Sequence, residues 1–330
     1  MKQDAYRQAG VDIDLEAAAV KSLISELTYR RQGQFGMASE IGHFAGFVSF
    51  GKYVLALAVD GVGTKMLVAD ALRDWSTVGI DCIAMNVNDL YVMNLEPIAF
   101  VDYIATSKLS HEQMKQLGKG LNEGAKLANI SILGGETATL KGLVTGLDLA
   151  GACLGIQEKE NVITGSAIAP GDVMVGIPSS GIHSNGLTLA RRMVEDHGIY
   201  DERLSSGVTL GAELLRPTRI YADVLRICEG TKVHGMCHIT GGGLLNLNRL
   251  GEFGYALDTP LPPQEIYEWI ARAGQITEPE MYRTFNMGMG YVIILPEEGI
   301  ETVRKYYPDA QIVGKITEKP GITLKGKEIF

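Results

Sequence analysis

The chain has 330 residues, of which 46% are hydrophobic and 21% are charged, and its formal net charge is −9. This composition is ordinary for a water-soluble globular protein, and a chain of this length usually forms more than one domain. The negative charge argues against a nucleic-acid-binding protein or one that binds an anionic membrane, because it leaves no large basic face for a polyanion.

The chain start and the cysteines indicate a cytoplasmic protein. The first ten residues are polar, without the apolar core of a signal peptide, and no apolar run approaches the ~20 residues that span a bilayer. Cys82, Cys153, Cys228 and Cys237 show no metal-ligand spacing. We therefore expect a reducing compartment, no disulfide framework and no membrane partner.

The first half of the chain alternates helices and strands. Apolar residues at helical spacing predict helices at residues 14–31, 80–91 and 114–128. Apolar runs predict strands at residues 53–59, 97–106, 130–133 and 147–157. The glycine-rich segment 32–51 is typical of a loop that covers a ligand. Because the strands are partly amphipathic, we expect an α+β domain whose mixed sheet has helices on one face and a partner subunit on the other.

A stretch of small residues that ends in Pro170 and Gly171 predicts a domain boundary, which we place between residues 1–168 and 169–330. The second domain should open with a strand at 172–178, a loop and a helix at 187–197. Further strands are expected at residues 233–239, 255–257, 291–295 and 311–316, and helices at 263–272 and 297–307. We expect an α/β domain here.

The motif DGVGTK follows the first predicted strand. Gly61 and Gly63 let backbone N–H groups approach phosphate oxygens, next to the hydroxyl of Thr64. Lys65 can neutralise phosphate charge, and Asp60 can hold the magnesium ion that accompanies a nucleotide. The alternative is a tight strand-to-helix turn with a surface lysine.

Two further motifs add acidic side chains. Asp81, Asn88 and Asp89 share one predicted helix, where positions seven and eight apart lie on the same face. The motif GGET provides Glu136 in a glycine turn after a short strand. Asp60, Asp89 and Glu136 thus lie at the ends of different elements, as oxygen ligands of Mg²⁺ commonly do. For Asp81 the alternative is an exposed polar stripe.

Two loops in the second half have the composition of anion sites. The motif SSGIHSNG at residues 179–186 joins a strand to a helix, and HITGGG at residues 238–243 repeats the design. His183 and His238 could transfer protons there. Arg216 and Arg219 either form local salt bridges or clamp a phosphate.

These motifs, in this order along nearly the whole chain, resemble the phosphoribosylformylglycinamidine cyclo-ligase family. The matching segments are residues 6–12, 60–65, 86–90, 102–106, 134–137, 179–186, 216–221, 238–243 and 281–290. The segment IGHFAGF at residues 41–47 departs from the family pattern, so no binding role carries over to it. The wider superfamily includes thiamine-monophosphate kinase, selenophosphate synthetase and formylglycinamidine ribonucleotide synthetase, which all use ATP.

The resemblance implies a homodimer of two-domain subunits. The N-terminal domain would bind ATP and form the dimer, and the C-terminal domain would complete the active site. The implied reaction converts formylglycinamidine ribonucleotide and ATP to aminoimidazole ribonucleotide, ADP and phosphate in purine biosynthesis, through phosphorylation of the formyl amide oxygen.

The resemblance also implies a set of site residues. Magnesium would be held by Asp60, Asp89 and Glu136. The nucleotide would contact Gly61, Gly63, Thr64, Lys65, Asn88, Gly134, Gly135 and Thr137. The substrate would contact Ser180, Ser184, Asn185, Thr240 and Gly241. The catalytic groups would be His183 and His238.

Two other functions stay open at this point. A superfamily kinase such as thiamine-monophosphate kinase would share the acidic set but not the two histidine loops in these contexts. A non-catalytic nucleotide-sensing dimer would keep the glycine turns without needing two histidines and three acids. Selenophosphate synthesis is disfavoured because no cysteine lies near the N-terminus.

Overall fold

The computed structural model describes residue 7, residues 9–39 and residues 43–330. It begins with helix α1 (Ile13–Glu26), whose first turn is capped by Asp12: the Leu15 N–H donates to the Asp12 carboxylate at 3.1 Å. The cap agrees with the sequence, but the helix ends five residues before the predicted position 31.

The first sheet has the strand order β1-β2-β5-β3-β4. Its strands are β1 (Gly46–Phe50), β2 (Tyr53–Gly61), β3 (Glu96–Thr106), β4 (Ser131–Thr139) and β5 (Leu147–Glu158). Neighbours are antiparallel except β3 and β4, which run parallel because helix α4 (His111–Ala128) connects them as a crossover. This is the mixed sheet that the sequence predicted.

Helices α2 (Lys65–Leu72) and α3 (Val78–Tyr91) follow β2. Helix α3 packs on the sheet, and α4 packs on α3. A Cβ added at Gly79 would lie 2.3 Å from the Leu121 nitrogen, and one at Gly120 would lie 2.6 Å from the Ser76 oxygen. Glycine at both positions therefore lets α3 and α4 meet backbone to backbone.

The opposite face of this sheet carries no helix among the described residues and is apolar. On β2, buried Ala56 and Ala58 alternate with Leu57 and Val59, which are 63% and 78% exposed. Tyr103 on β3 is also exposed on this side. The expectation of a sheet with helices on one face is confirmed.

The second sheet has the order β12-β11-β8-β10-β6-β9-β7. Its strands are β6 (Val173–Pro178), β7 (Gly235–His238), β8 (Gly254–Leu257), β9 (Met289–Leu295), β10 (Gln311–Thr317), β11 (Gly321–Leu324) and β12 (Lys327–Glu328). All neighbouring strands are antiparallel except β8 and β11. The α/β description of this domain was therefore wrong, and both halves are α+β.

Helices flank the second sheet. They are α5 (Leu187–His197), α6 (Leu210–Leu215), α7 (Val224–Gly230), α8 (Glu265–Gly274), α9 (Glu278–Thr284) and α10 (Ile300–Tyr306). Short 3₁₀ segments lie at Lys159–Asn161, Gly243–Leu250 and Glu297–Gly299. Within the described part of the chain, every helix is too short or too polar to span a bilayer.

Two further local predictions differ from the structure. The predicted loop at 32–51 contains β1, which pairs with β2 through a tight turn at Gly51 and Lys52 (φ +62° at Gly51). Residues 41 and 42 of the divergent segment lie outside the described residues. The GGET motif lies inside β4 rather than in a turn. The predicted boundary at 168/169 stays a prediction, and it falls in the segment that connects β5 to β6.

Candidate active site

Four polar side chains meet near the ends of β2, α3 and β7. His238 closes β7, and its Nδ1 lies 3.2 Å from an Asp89 carboxylate oxygen at the end of α3. The Asn88 amide lies 3.4 Å from His238 Nε2 and can donate only through its N–H. The imidazole therefore carries its proton on Nδ1 and donates it to Asp89. His238 is fully buried, whereas the Asp89 side chain is 17% exposed.

Asp60 faces the same place from β2. Burial, and next the negative charge of Asp89, raise the pKa of Asp60 to about 6. The negative charge of Asp89 thus makes the ionised form of Asp60 more costly. A cation between them would remove that cost, so the pair fits the divalent metal predicted from the sequence.

Glu136 does not join this pair. Asp60, Gly151, Asp102 and Gly135 form one row across the first sheet, whereas Glu136 pairs with Tyr103 in the next row. Successive side chains of a strand point to opposite faces, so Glu136 lies on the open face. Among the residues described, no three His, Cys, Asp or Glu side chains are arranged to hold a metal ion.

Gly135, which was predicted to contact a nucleotide phosphate, lies against the Asp102 side chain. A Cβ at this position would lie 2.4 Å from an Asp102 carboxylate oxygen, so glycine is needed here to leave room for that acid. Burial raises the pKa of Asp102. Gly134 and Thr137 lie beside it on the exposed edge strand β4, and contact with a nucleotide stays a prediction for both.

Lys65 is fully buried, so the surface-lysine interpretation was wrong. Its ammonium group donates to Asp81 Oδ1 at 2.9 Å and to the backbone oxygens of His183 at 3.3 Å and Arg216 at 2.6 Å. All three N–H groups are therefore occupied by protein. This placement does not match the predicted contact between Lys65 and nucleotide phosphates.

Other residues predicted to contact a ligand make hydrogen bonds to the protein instead, some of them between the two domains. Asn88 accepts from the Tyr221 N–H at 3.1 Å and donates to the Arg219 oxygen at 2.9 Å. Ser180 Oγ donates to the Pro217 oxygen at 2.6 Å, and Ser184 Oγ donates to Asp81 at 3.0 Å. These groups hold protein to protein here rather than presenting free donors to a ligand. Arg216 pairs with Glu213, which is the local salt bridge left open above.

His183 is buried inside the second domain. Its backbone φ is +65°, its exposure is 1%, and Nε2 accepts from the Ser180 N–H at 3.3 Å. Burial lowers the pKa of His183 well below its usual value, so the ring is neutral at neutral pH. A Cβ at Gly290 would lie 2.6 Å from His183 Cε1, which places that ring edge against β9.

Further predicted residues lie on segments that adjoin Asp60, Asp89 or His238. Gly63 is exposed with φ +65°, and Thr64 Oγ1 lies 2.9 Å from Thr188 Oγ1. Asn185 Nδ2 lies 3.7 Å from Met85 Sδ on α3, and a Cβ at Gly241 would lie 3.1 Å from Asn185 Oδ1. The two loops with anion-site composition therefore meet beside α3.

Two residues near this cluster were missed by sequence reasoning. The Arg249 guanidinium lies 4.8 Å from the centre of the Phe44 ring, and its charge lowers the pKa of Asp60 against the larger effects described above. His43 Nε2 lies 3.3 Å from the Thr164 oxygen, and burial lowers its pKa. Arg249 could have been noticed as the cation that ends the helix opened by HITGGG. His43 lies in the divergent segment.

Comparison with known proteins places the fold in a class. Residues 42–157 match the family model "AIR synthase related protein, N-terminal domain", and residues 169–327 match "AIR synthase related protein, C-terminal domain". Thiamine monophosphate kinase from Aquifex aeolicus has the same fold, with a TM-score of 0.68 at 16% identity over 96% of this chain and 99% of that one. AaThiL complexed with AMPPCP and TMP gives 0.65 at 16%, over 96% and 94%. The chain is thus of the AIR synthase related class.

Full-length relatives narrow the class to one family. A phosphoribosylformylglycinamidine cyclo-ligase from Methanococcoides burtonii is 49% identical over 99% of both chains. Another, from Methanosarcina acetivorans, is 48% identical over 98% of both. This chain belongs to the phosphoribosylformylglycinamidine cyclo-ligase family, and it is an enzyme.

Proposed function

We propose that this chain converts formylglycinamidine ribonucleotide and ATP to aminoimidazole ribonucleotide, ADP and phosphate, as a cytoplasmic enzyme of purine biosynthesis. The observation that carries the proposal is its full-length identity to cyclo-ligases, about three times that to the kinases of the same fold. The contacts of His238 with Asp89 and of Asn185 with Met85 on the same helix support it, because they bring both second-domain loops beside the predicted nucleotide site.

The chemistry explains why the reaction consumes ATP. The formyl amide oxygen is a poor leaving group, so it first attacks the γ-phosphorus of ATP and ADP departs. The amidine nitrogen then attacks the formyl carbon, the C–O bond breaks and phosphate leaves with the oxygen as the ring closes. The protein mainly has to position two anionic molecules and balance the transferring charge.

We assign Asp60 and Asp89 to Mg²⁺, which would neutralise phosphate charge when bound there. The backbone N–H group of Gly63 and the Thr64 hydroxyl follow Asp60 closely and would contact the nucleotide phosphates, whereas the Gly61 N–H donates to Asp60 Oδ1 at 2.7 Å. Asn185, Thr240 and Gly241 would contact the ribonucleotide. His238 would hold the Asp89 carboxylate in its orientation through the 3.2 Å hydrogen bond.

The proposal predicts which substrate makes the enzyme consume ATP. With ATP and Mg²⁺, we expect ADP to form when formylglycinamidine ribonucleotide is added, together with an equal amount of an aromatic amine product detected by diazo coupling. Thiamine monophosphate should give neither. ADP formation with thiamine monophosphate alone would instead assign the kinase activity, and no ADP with either substrate would contradict both functions.

We also propose that two copies of the chain pair through the open face of the first sheet. Leu57 and Val59 expose large apolar side chains on this face. The polar residues that usually form the solvent-facing side of a sheet are absent from β2. A second copy is the occupant that matches this apolar face, because a two-fold axis lets identical patches cover each other.

The dimer predicts a solution mass of about twice the 35.6 kDa of one chain. Val59→Lys should give the single-chain mass by light scattering at micromolar concentration, because a buried lysine without a partner is costly. Ile199→Lys, at an exposed apolar residue of the second domain, is the control and should stay dimeric. A wild-type protein with the mass of one chain would contradict the dimer.

A further inference from the structure

The junction between the two domains contains a buried ion pair that the proposed reaction does not use. Lys65 begins α2 and Asp81 lies in the first turn of α3, and both side chains are inaccessible to water. Burial lowers the pKa of Lys65, and the Asp81 carboxylate opposes that fall. A buried charge is tolerated only where partners replace its water, so the contacts of this pair identify what it holds.

Those contacts all reach the second domain. Asp81 Oδ1 accepts from the Thr218 N–H at 2.7 Å, from the Thr218 hydroxyl at 2.6 Å and from the Ser184 hydroxyl at 3.0 Å. Lys65 donates to the backbone oxygens of His183 and Arg216. Two first-domain side chains therefore hold two second-domain segments in place, the loop at residues 179–186 and the irregular segment at residues 216–218.

The position of Lys65 in the chain gives this junction a function. Lys65 directly follows Thr64, the last residue of the turn assigned above to the nucleotide phosphates. His183 and Ser184 directly precede Asn185, which is assigned to the ribonucleotide. The ion pair therefore sets the distance between the phosphate-binding turn of one domain and the substrate loop of the other.

We propose that Lys65 and Asp81 are positioning residues, which hold the loop at residues 179–186 against the first domain so that the two substrates meet. The proposal rests on the proposed function for its effect on turnover, but not for its effect on the loop. Misplacement of bound reactants by about 1 Å can cost about 10²-fold in rate.

The test compares Lys65→Met with Lys119→Met, which removes an exposed lysine of α4. Lys65→Met should raise hydrogen exchange in peptides covering residues 179–186 and lower kcat/KM for the ribonucleotide by about 10²-fold. The Kd of the ATP analogue AMPPNP with Mg²⁺, measured by calorimetry, should change less than threefold. Lys119→Met should leave all three quantities at wild-type values.

Ser184→Ala provides a milder variant if Lys65→Met does not fold, because it removes one hydroxyl donor to Asp81 and leaves the ion pair. As in Lys65→Met, hydrogen exchange in the loop should rise and kcat/KM should fall, here by about tenfold. A tenfold or greater rise in the AMPPNP Kd of Lys65→Met, matching its loss of kcat/KM, would make Lys65 a phosphate ligand and overturn the proposal. Unchanged loop exchange in both variants would overturn it too.

The outcomes separate this proposal from the proposed function. If the wild-type enzyme shows no cyclo-ligase turnover, the proposed function fails, and the exchange measurement still decides whether Lys65 holds the loop. If turnover is present and both variants merely melt at lower temperature while the folded protein keeps its kcat/KM, the ion pair is structural only and the positioning role is wrong.

Discussion

Asp60→Asn should lower turnover by roughly 10²–10³-fold, the effect of losing several kcal/mol of charge stabilisation at the transferring phosphoryl group. The same variant should melt at a higher temperature than wild type in metal-free buffer. Burial and the charge of Asp89 raise the pKa of Asp60 to about 6 from its ordinary 3.8. Above pH 6 the ionised side chain therefore opposes folding, and the neutral amide removes that cost.

The pH dependence of this stability difference has a definite sign. The folded protein binds the Asp60 proton more tightly than the unfolded chain does, so the cost is fully present above about pH 6 and disappears as the pH falls towards 4. Calorimetric melting at pH 8 and pH 5 should show a larger gain for Asp60→Asn at pH 8. Asp309→Asn, at an exposed acid in the turn before β10, is the control and should change neither turnover nor melting. A slow but less stable Asp60→Asn enzyme would contradict the repulsion between the two acids.

The two histidines should respond in opposite ways. His238→Ala should lower kcat by roughly 10–100-fold, because it removes the group that orients the Asp89 carboxylate. His183→Ala should leave the kcat of the folded protein within about threefold of wild type. It should instead lower the free energy of unfolding by about 2–4 kcal/mol, because the ring fills space between β9 and Tyr221.

Turnover and melting measured on both variants test this assignment. His183→Asn is a useful third variant, because asparagine accepts the positive φ of this position more readily than alanine does. It should be more stable than His183→Ala. A stable His183→Ala protein with kcat lowered by roughly 10²–10⁴-fold would restore the proton-transfer role predicted from the sequence.

The sequence predicted elements well where one periodicity dominated. Helix α3 was predicted at residues 80–91 and observed as Val78–Tyr91, and α5 was predicted with the observed bounds, because apolar spacing reports which face is buried. The short helices α6, α7 and α9 were missed, since six or seven residues give less than two turns of pattern.

The direction of a side chain was harder to predict than its position in the chain. Glu136 was predicted to lie in a glycine turn and to share a metal ion with Asp60. The register of β3 and β4 shifts between Phe100 and Val101, however, and this shift decides the face on which each later β4 residue lies. Lys65 was interpreted from its glycine-rich neighbours alone. Its actual partners, the Asp81 carboxylate and the Arg216 oxygen, are 16 and 151 residues away, a relation that no local motif contains.

The backbone contact between α3 and α4 controls the orientation of α3 and therefore the position of Asp89. Gly79 lies at one end of α3 and Asp89 ten residues further along, so they are separated by about 15 Å of helix axis. A methyl group at Gly79 would tilt α3 away from α4 about its first turn, and a small rotation there becomes a larger displacement of the carboxylate at the far end. The close helix contact at Gly79 and Gly120, far from any reacting atom, thus determines where the Asp89 carboxylate lies in the site.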